Sequence, residues 1–290
     1  MCHIKKPHIM KKILLAIAAV AVLVGCTKDV PNENENQNEK AVTIRFSPYE
    51  VTPMKTTSSV STVCSRLDIY IIENGTTDTM RFHQERTATA DFGSITTTLQ
   101  TNRTYKLVAV AHNSTDTCTL SSGIVSFAED KIKQTLYADT TFSPADGLSL
   151  NVVMQRIVGM FKMRVTDQIP AVVTGFRFTV NQAGCKFNTA THESTDRGLR
   201  LHTINGTSTD ANGVAIYNVY IMADNMTDVL YVDIEAEAVN PTNDGEVRQF
   251  IGVPIRDGYL TTYTGTFFVS FDMGFTFSVG DWNDGGSFTF

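Results

Sequence analysis

Between Val229 and Ala238 the chain alternates without a break. Leu230, Val232, Ile234, Ala236 and Ala238 point one way, and Tyr231, Asp233, Glu235 and Glu237 point the other. A period of two describes a strand with one buried and one wetted face. A helix, whose faces recur about every 3.6 residues, would scatter both sets around its axis.

Short runs rich in Thr, Val, Ile, Phe and Tyr recur along the chain, separated by Gly, Asn, Asp, Ser and Pro, which is the pattern of an all-β protein. Strands are expected at Ala41–Phe46, Arg66–Ile72, Ser94–Leu99, Thr104–Ala111, Leu148–Met154, Ile157–Thr166, Thr174–Val180, Val214–Met222, Val247–Pro254, Thr262–Val269 and Phe275–Val279. Glu73-Asn74-Gly75, Asn205-Gly206, Asn212-Gly213 and the stretch Asn240 to Gly245 supply turn chemistry, because Asn and Gly tolerate the positive φ of tight hairpins. Ala128–Tyr137 reads equally well as a helix or a loop. Strands so spaced, without intervening helices, favour sandwiches over a parallel α/β sheet. A chain of 290 residues exceeds the usual size of one domain. The polar cluster Ser143-Pro144-Ala145-Asp146-Gly147 predicts the boundary, with β-sandwiches over 41–147 and 148–290. No close internal repeat is visible.

The chain opens differently. From Met10, the natural start of an export signal, Lys11 and Lys12 precede the apolar run Ile13 to Val24. That run is too short to span a bilayer, which needs about 20 residues, and it suits the core of a signal peptide covering 1–25. It ends in Leu23-Val24-Gly25-Cys26, which resembles the lipobox of bacterial lipoproteins. The resemblance implies cleavage before Cys26, lipidation of that thiol with palmitate-type acyl chains, and membrane attachment through the lipid. Residues 26–40 are rich in Asn, Glu, Gln and Pro and bury too little to offset the cost of ordering. They read as a flexible tether. Its Asp29, Glu33, Glu35 and Glu39 either serve as an acidic surface-export signal, as in lipoproteins of the Bacteroidota, or merely keep the tether solvated.

A net charge of −6 argues against a nucleic-acid partner, which selects for a basic stripe. No later segment is long and apolar enough for a transmembrane helix. Of five cysteines, Cys2 precedes the signal and Cys26 takes lipid, leaving Cys64, Cys118 and Cys185. Cys64 and Cys118 are placed either to form a disulfide in an oxidising compartment or to be buried as small hydrophobes. No Cys-x-x-Cys pair suggests structural zinc.

Nothing marks an enzyme. There is no nucleophile elbow, no His-Glu-x-x-His and no phosphate loop. His83, His112, His192 and His202 follow the signal. His112 ends a strand beside Asn113, and His192 adjoins Glu193 in a Thr-rich loop, but neither has a partner at motif spacing. The acidic face Asp233, Glu235, Glu237 reads as a solvated strand face. The tail Asp281 to Gly286 lacks the bidentate glutamate of a calcium loop and reads as a turn. No catalytic residue, cofactor or metal is expected.

Three stretches carry a family resemblance. LSLNVVMQRIVGMFKMRVTDQIP from Leu148, with Arg156, the pair Ile157-Val158 and Pro170, resembles the opening of the second domain in fimbrial lipoproteins of the Bacteroidota. RLDIYIIENG (Arg66–Gly75) and TYKLVAVAHNS (Thr104–Ser114) resemble the paired strands of the first domain. VPIRDGYLTTYTGTFF (Val253–Phe268) is similar to the final hairpin, with Asp257 where Asn is commoner. The chain thus resembles the FimB-like anchors or minor subunits of type V pili, within the fimbrillin superfamily.

The resemblance implies two transthyretin-like β-sandwich domains, no enzyme activity and surface exposure at the outer membrane. It also implies partnership with other fimbrial subunits through β-strand addition. In stalk subunits of that family a protease removes the first strand, often after an Arg in the following loop. Here the loop Ser47–Ser65 holds only Lys55 as a basic residue, while Arg45 lies within the first strand and Arg66 opens the next. A retained first strand is therefore expected, as in an anchor. Phe275–Val279 reads as an ordinary final strand; Ser287–Phe290 could be a last strand or one offered to a neighbour. The alternatives are a FimA-type stalk subunit, a surface glycan-binding lipoprotein, for which Trp282 is the lone tryptophan, and a hydrolase.

Overall fold

The computed structural model describes residues 38–49, 59–127, 132–145, 147–225, 228–242, 245–268, 276–281 and 288–289. The signal segment, Cys26, most of the tether, Lys55 and Trp282 lie outside these residues. The described chain is nearly all strand, with one short 3₁₀ turn at Val60–Thr62. No helix among the described residues is long and apolar enough to cross a membrane.

The first half contains β1 (Glu39–Pro48), β2 (Arg66–Glu73), β3 (Thr79–Glu85), β4 (Ser94–Gln100), β5 (Tyr105–His112), β6 (Thr119–Ser121), β7 (Ile124–Ser126), β8 (Thr135–Phe142) and β9 (Ser149–Arg156). Seven of these form one sheet in the order β3-β2-β5-β8-β9-β1-β4. The β8–β9 ladder is only two residue pairs long, and the wings on either side of it face one another. Val42, Ile44 and Phe46 of β1, Val152 and Met154 of β9, and Ile95 and Leu99 of β4 meet Leu67, Ile69 and Ile71 of β2, Leu107 of β5 and Leu136 of β8 in one core.

The second half contains β10 (Gly159–Val165), β11 (Gly175–Ala183), β12 (Lys186–Asn188), β13 (Glu193–Thr195), β14 (Gly198–Asn205), β15 (Ser208–Thr209), β16 (Ala215–Ile221), β17 (Leu230–Val239), β18 (Val247–Ile255), β19 (Tyr259–Gly265), β20 (Thr276–Asp281) and β21 (Phe288–Thr289). Sheets ordered β15-β16-β10-β19-β20-β21 and β14-β11-β17-β18 enclose an aromatic-rich core. Phe161 packs edge-on to Phe178 and Phe250, and Phe176 lies 4.4 Å from Tyr217 between ring centroids. As expected from the alternation in β17, Leu230, Val232, Ile234, Ala236 and Ala238 are buried there.

A third core joins the halves. β2 is buried on both faces, which explains its nearly continuous apolar run: Leu67, Ile69 and Ile71 face the first core, whereas Tyr70 turns to the third. There Tyr70, Val108, Val110 and Tyr137 meet Cys185, Phe187 and Met222 of the second half. A small sheet, β13-β12-β7-β6, draws two strands from each half.

Several expectations change. Residues 128–131 of the helix-or-loop candidate Ala128–Tyr137 lie outside the described residues, and its last three, Thr135–Tyr137, open β8, which pairs with β5 along its whole length. Ile132 and Leu136, four residues apart, are buried in different cores, the third and the first. The strand expected at Thr262–Val269 runs Tyr259–Gly265. The Pro/Gly cluster at 143–147 connects β8 to β9, and β9 pairs in parallel with β1, so the passage from the first core to the second comes at Ile157–Val158, between β9 and β10. Edge strands β3 and β14 carried no clear signal. In β14 the leucines Leu199 and Leu201 face solvent while Arg200 and His202 are buried, the reverse of the usual alternation.

Candidate functional site

β1 is held as an interior strand. On one side it pairs antiparallel with β4 from Glu39↔Gln100 to Arg45↔Ser94. On the other it runs parallel to β9 from Thr43↔Ser149 to Pro48↔Met154. Val42, Ile44 and Phe46 point into the first core. Outside, the Thr43 and Thr96 hydroxyls lie 3.1 Å apart, and Arg45 Nη1 donates to Ser149 Oγ at 2.6 Å. Each inward side chain contributes about 1.5–3 kcal/mol by burial.

The end of β1 is fitted closely. Phe46 N–H donates to the Gly93 carbonyl at 2.9 Å, and Tyr49 N–H donates to the Met154 carbonyl at 2.7 Å. Gly93 has φ +91°, and a Cβ there would come within 2.8 Å of Val60 Cγ1. Only glycine meets both conditions. Val60, in the 3₁₀ turn, is fully buried in the same core.

The second half repeats the arrangement around β10, which pairs antiparallel with β16 and parallel with β19. The two halves therefore share a local topology that their sequences do not display. One difference is chemical connection: β10 follows β9 through Ile157–Val158, whereas β1 follows the tether. Withdrawal of β1 would leave a slot with unpaired backbone on both walls and pockets at alternate positions. β20 continues the second sheet beside β19, and β21 pairs with β20, so both C-terminal strands are placed within the chain's own sheet.

The polar residues singled out from sequence are distributed over several places. Asp233 accepts from Gly252 N–H, Glu235 from Gln249, and Glu237 pairs with Arg177 at 3.0 Å, so the acidic face of β17 is knitted to its neighbours. His192 Nε2 lies 3.2 Å from Asp139 across the two halves. His83 and His112 converge on Asp68, at 2.8 and 2.9 Å. Asp68 was not evident as a functional residue; the one signal was a charged residue inside the apolar run of β2. Cys64, Cys118 and Cys185 are buried free thiols. Cys64 belongs to the first core and Cys118 to the third, and burial pushes the Cys64 thiol up to about 12.

Asp257 is buried in the turn before β19. Burial raises its carboxyl well above the usual range, against a weak lowering by the Ala223 N–H that it accepts at 3.4 Å. A protonated acid there presents the same carbonyl acceptor as an asparagine amide.

No family model matches the sequence, and no curated protein matches it. Solved structures do. A candidate adhesin from Bacteroides thetaiotaomicron superposes with a TM-score of 0.53 at 10% identity, over 84% of this chain and 97% of that one. A candidate adhesin from Bacteroides ovatus gives 0.52 at 11% identity, over 87% and 95%. The chain shares their fold. Candidate polysaccharide-binding proteins from Bacteroides thetaiotaomicron give 0.54 at 8% identity, over 87% and 98%. Because the overlap covers nearly the whole of each neighbour, both halves of this chain take part in it.

Proposed function

We propose that this chain is a lipid-tethered fimbrial subunit, an anchor or minor component, that joins its neighbours by β-strand addition and contributes to adhesion at the cell surface. The observation that carries the reading is β1. A strand bonded on both sides, inserted by alternate side chains, preceded by the tether and followed by a loop into the body has the form that strand addition exploits. The adhesin names of two fold neighbours and the Leu23-Val24-Gly25-Cys26 motif support a surface location, with Cys26 holding the outer membrane through lipid. Structural rather than catalytic work accords with the absence of recognised catalytic motifs in the sequence.

An anchor keeps its own first strand. Arg45 is engaged with Ser149 inside a fully paired ladder, and Arg66 pairs with Glu85 at 2.7 Å, so both arginines flanking the loop are held in strands where a protease has poor access. Partners would then add strands elsewhere, and polymer growth would start from this fixed unit.

A second reading, polysaccharide binding, is favoured by the third fold neighbour and by an open groove of about 970 Å³ beside β1, β4 and β9, whose lining mixes polar Thr43, Arg45, Asp91 and Asn151 with apolar Phe92 and Val153. Cross-linking of the full chain in outer membranes separates the two. A detergent-resistant adduct with another fimbrial subunit is expected. Recovery of the chain without such a partner, but with bound glycan, would replace the fimbrial reading with the second one.

A further inference from the structure

Asp68 of β2 carries its carboxylate on the inter-half face of the sheet and is 4% exposed. Three side chains reach it. His112 Nε2, at the end of β5, lies 2.9 Å from Oδ2 and is fully buried. Cys118 Sγ, just before β6, lies 3.2 Å from the same oxygen. His83 Nδ1, on β3, lies 2.8 Å from Oδ1. The candidate donor atoms of Asp68, His112 and Cys118 all fall within 4.8 Å of one another. The other ring nitrogen of His112 has no hydrogen-bond partner, and Phe127 stands edge-on to the ring at 6.3 Å between centroids.

We propose that Asp68, His112 and Cys118 bind a divalent transition-metal ion of the zinc type, with His83 as the outer partner that fixes the carboxylate. Oxygen, imidazole nitrogen and sulfur together match the ligand range of zinc, whose bonds of about 2.0–2.3 Å place neighbouring donor atoms roughly 3.2–3.8 Å apart. Calcium and magnesium, which take oxygen ligands, do not suit the set. Binding expels the thiol proton of Cys118 to solvent. A dication with one carboxylate and one thiolate leaves no net charge on the set of ligands. Three protein ligands leave a fourth position open.

The site has a mechanical consequence. Cys118 lies on the excursion between β5 and β8 that carries β6 and β7, and β7 pairs with β12 of the second half. Tyr70 Oη donates to the Cys118 carbonyl at 3.1 Å, fixing that backbone above the sheet. A metal ion there would clip the excursion to β2 and β5 and thereby stiffen the joint between the halves.

The full chain is loaded with zinc or cobalt(II), freed of excess metal, and assayed for metal content, absorption and thermal midpoint. Stoichiometric retained zinc, a higher midpoint and a sulfur-to-cobalt charge-transfer band are expected. Cys118→Ser should abolish that band, and His83→Gln should weaken zinc affinity by about 10- to 100-fold as an outer-partner loss. The proposal is overturned if the wild type shows no retained zinc and no charge-transfer band, a result that holds whether or not Cys118→Ser folds. It is equally overturned by a band that persists in folded Cys118→Ser.

Discussion

Ile44 of β1 stands directly opposite Ile95 of β4, and both side chains are buried in the first core. Through this pair the first strand is tied to the edge strand β4 on one side, while its other side runs along β9. The chain's N-terminal strand is thus part of the foundation of the first half.

Ile44→Ala should therefore destabilise the protein by about 2–5 kcal/mol, the usual cost of a core cavity. Denaturant melts of the full chain measure it. Thr43→Ala, on the outer face, should cost under about 0.5 kcal/mol.

The alternation in β17 makes a paired prediction. Ile234 is 1% exposed, and Glu235 faces outward with a 3.3 Å contact from Gln249. Ile234→Ala should cost about 2–5 kcal/mol and Glu235→Ala no more than about 0.5 kcal/mol. Equal shifts in the melting midpoint would mean that the facing is inverted.

β17 was readable because one side of it is wet and the other dry. The same logic fails where both sides are dry or where polar groups are buried. β14 turns Arg200 and His202 inward, so its apolar alternation marks the wrong face, and β8 is buried along its first half, so it shows no clean period. The allegiance of β9 was hidden for a different reason: its partner β1 lies far back in the chain and pairs in parallel, which leaves no turn signature. The Asp68 cluster was equally out of sight. His112 and Cys118 lie 44 and 50 residues from Asp68, and only the fold brings them to one point.

Asp68 also gives a pH dependence. Desolvation pushes its carboxyl up, but hydrogen bonds from His112, His83 and Cys118 together outweigh that and hold it below the usual range. A depressed folded-state value stabilises the fold above the ordinary aspartate pKa, and that contribution disappears as pH falls through the lowered value. Asp68→Asn should cost about 1.5–3 kcal/mol at neutral pH, as for buried hydrogen bonds that lose their charged acceptor, and progressively less in acid. Thermal melts across pH check the convergence of the two curves.

Asp257 should behave in the opposite sense. Its raised carboxyl keeps a proton in the folded state after the unfolded chain has lost it, so stability falls as pH rises from the ordinary aspartate value towards the raised one. Asp257→Asn keeps the acceptor for Ala223 N–H and removes the ionisation. The variant should melt higher than the wild type at neutral pH, with the gain vanishing in acid. A lower midpoint at neutral pH would show that the carboxylate is stabilised where it stands.

Whether β1 stays with its own body decides between an anchor and a polymerising stalk unit, and the N-terminus of the surface protein reports it directly. Peptide mapping of the full protein taken from outer membranes should find Cys26 as the first residue, carrying acyl mass, with the peptides of β1 present. A surface population that begins after Phe46 would contradict the retained strand and make the slot between β4 and β9 the place where a neighbour inserts.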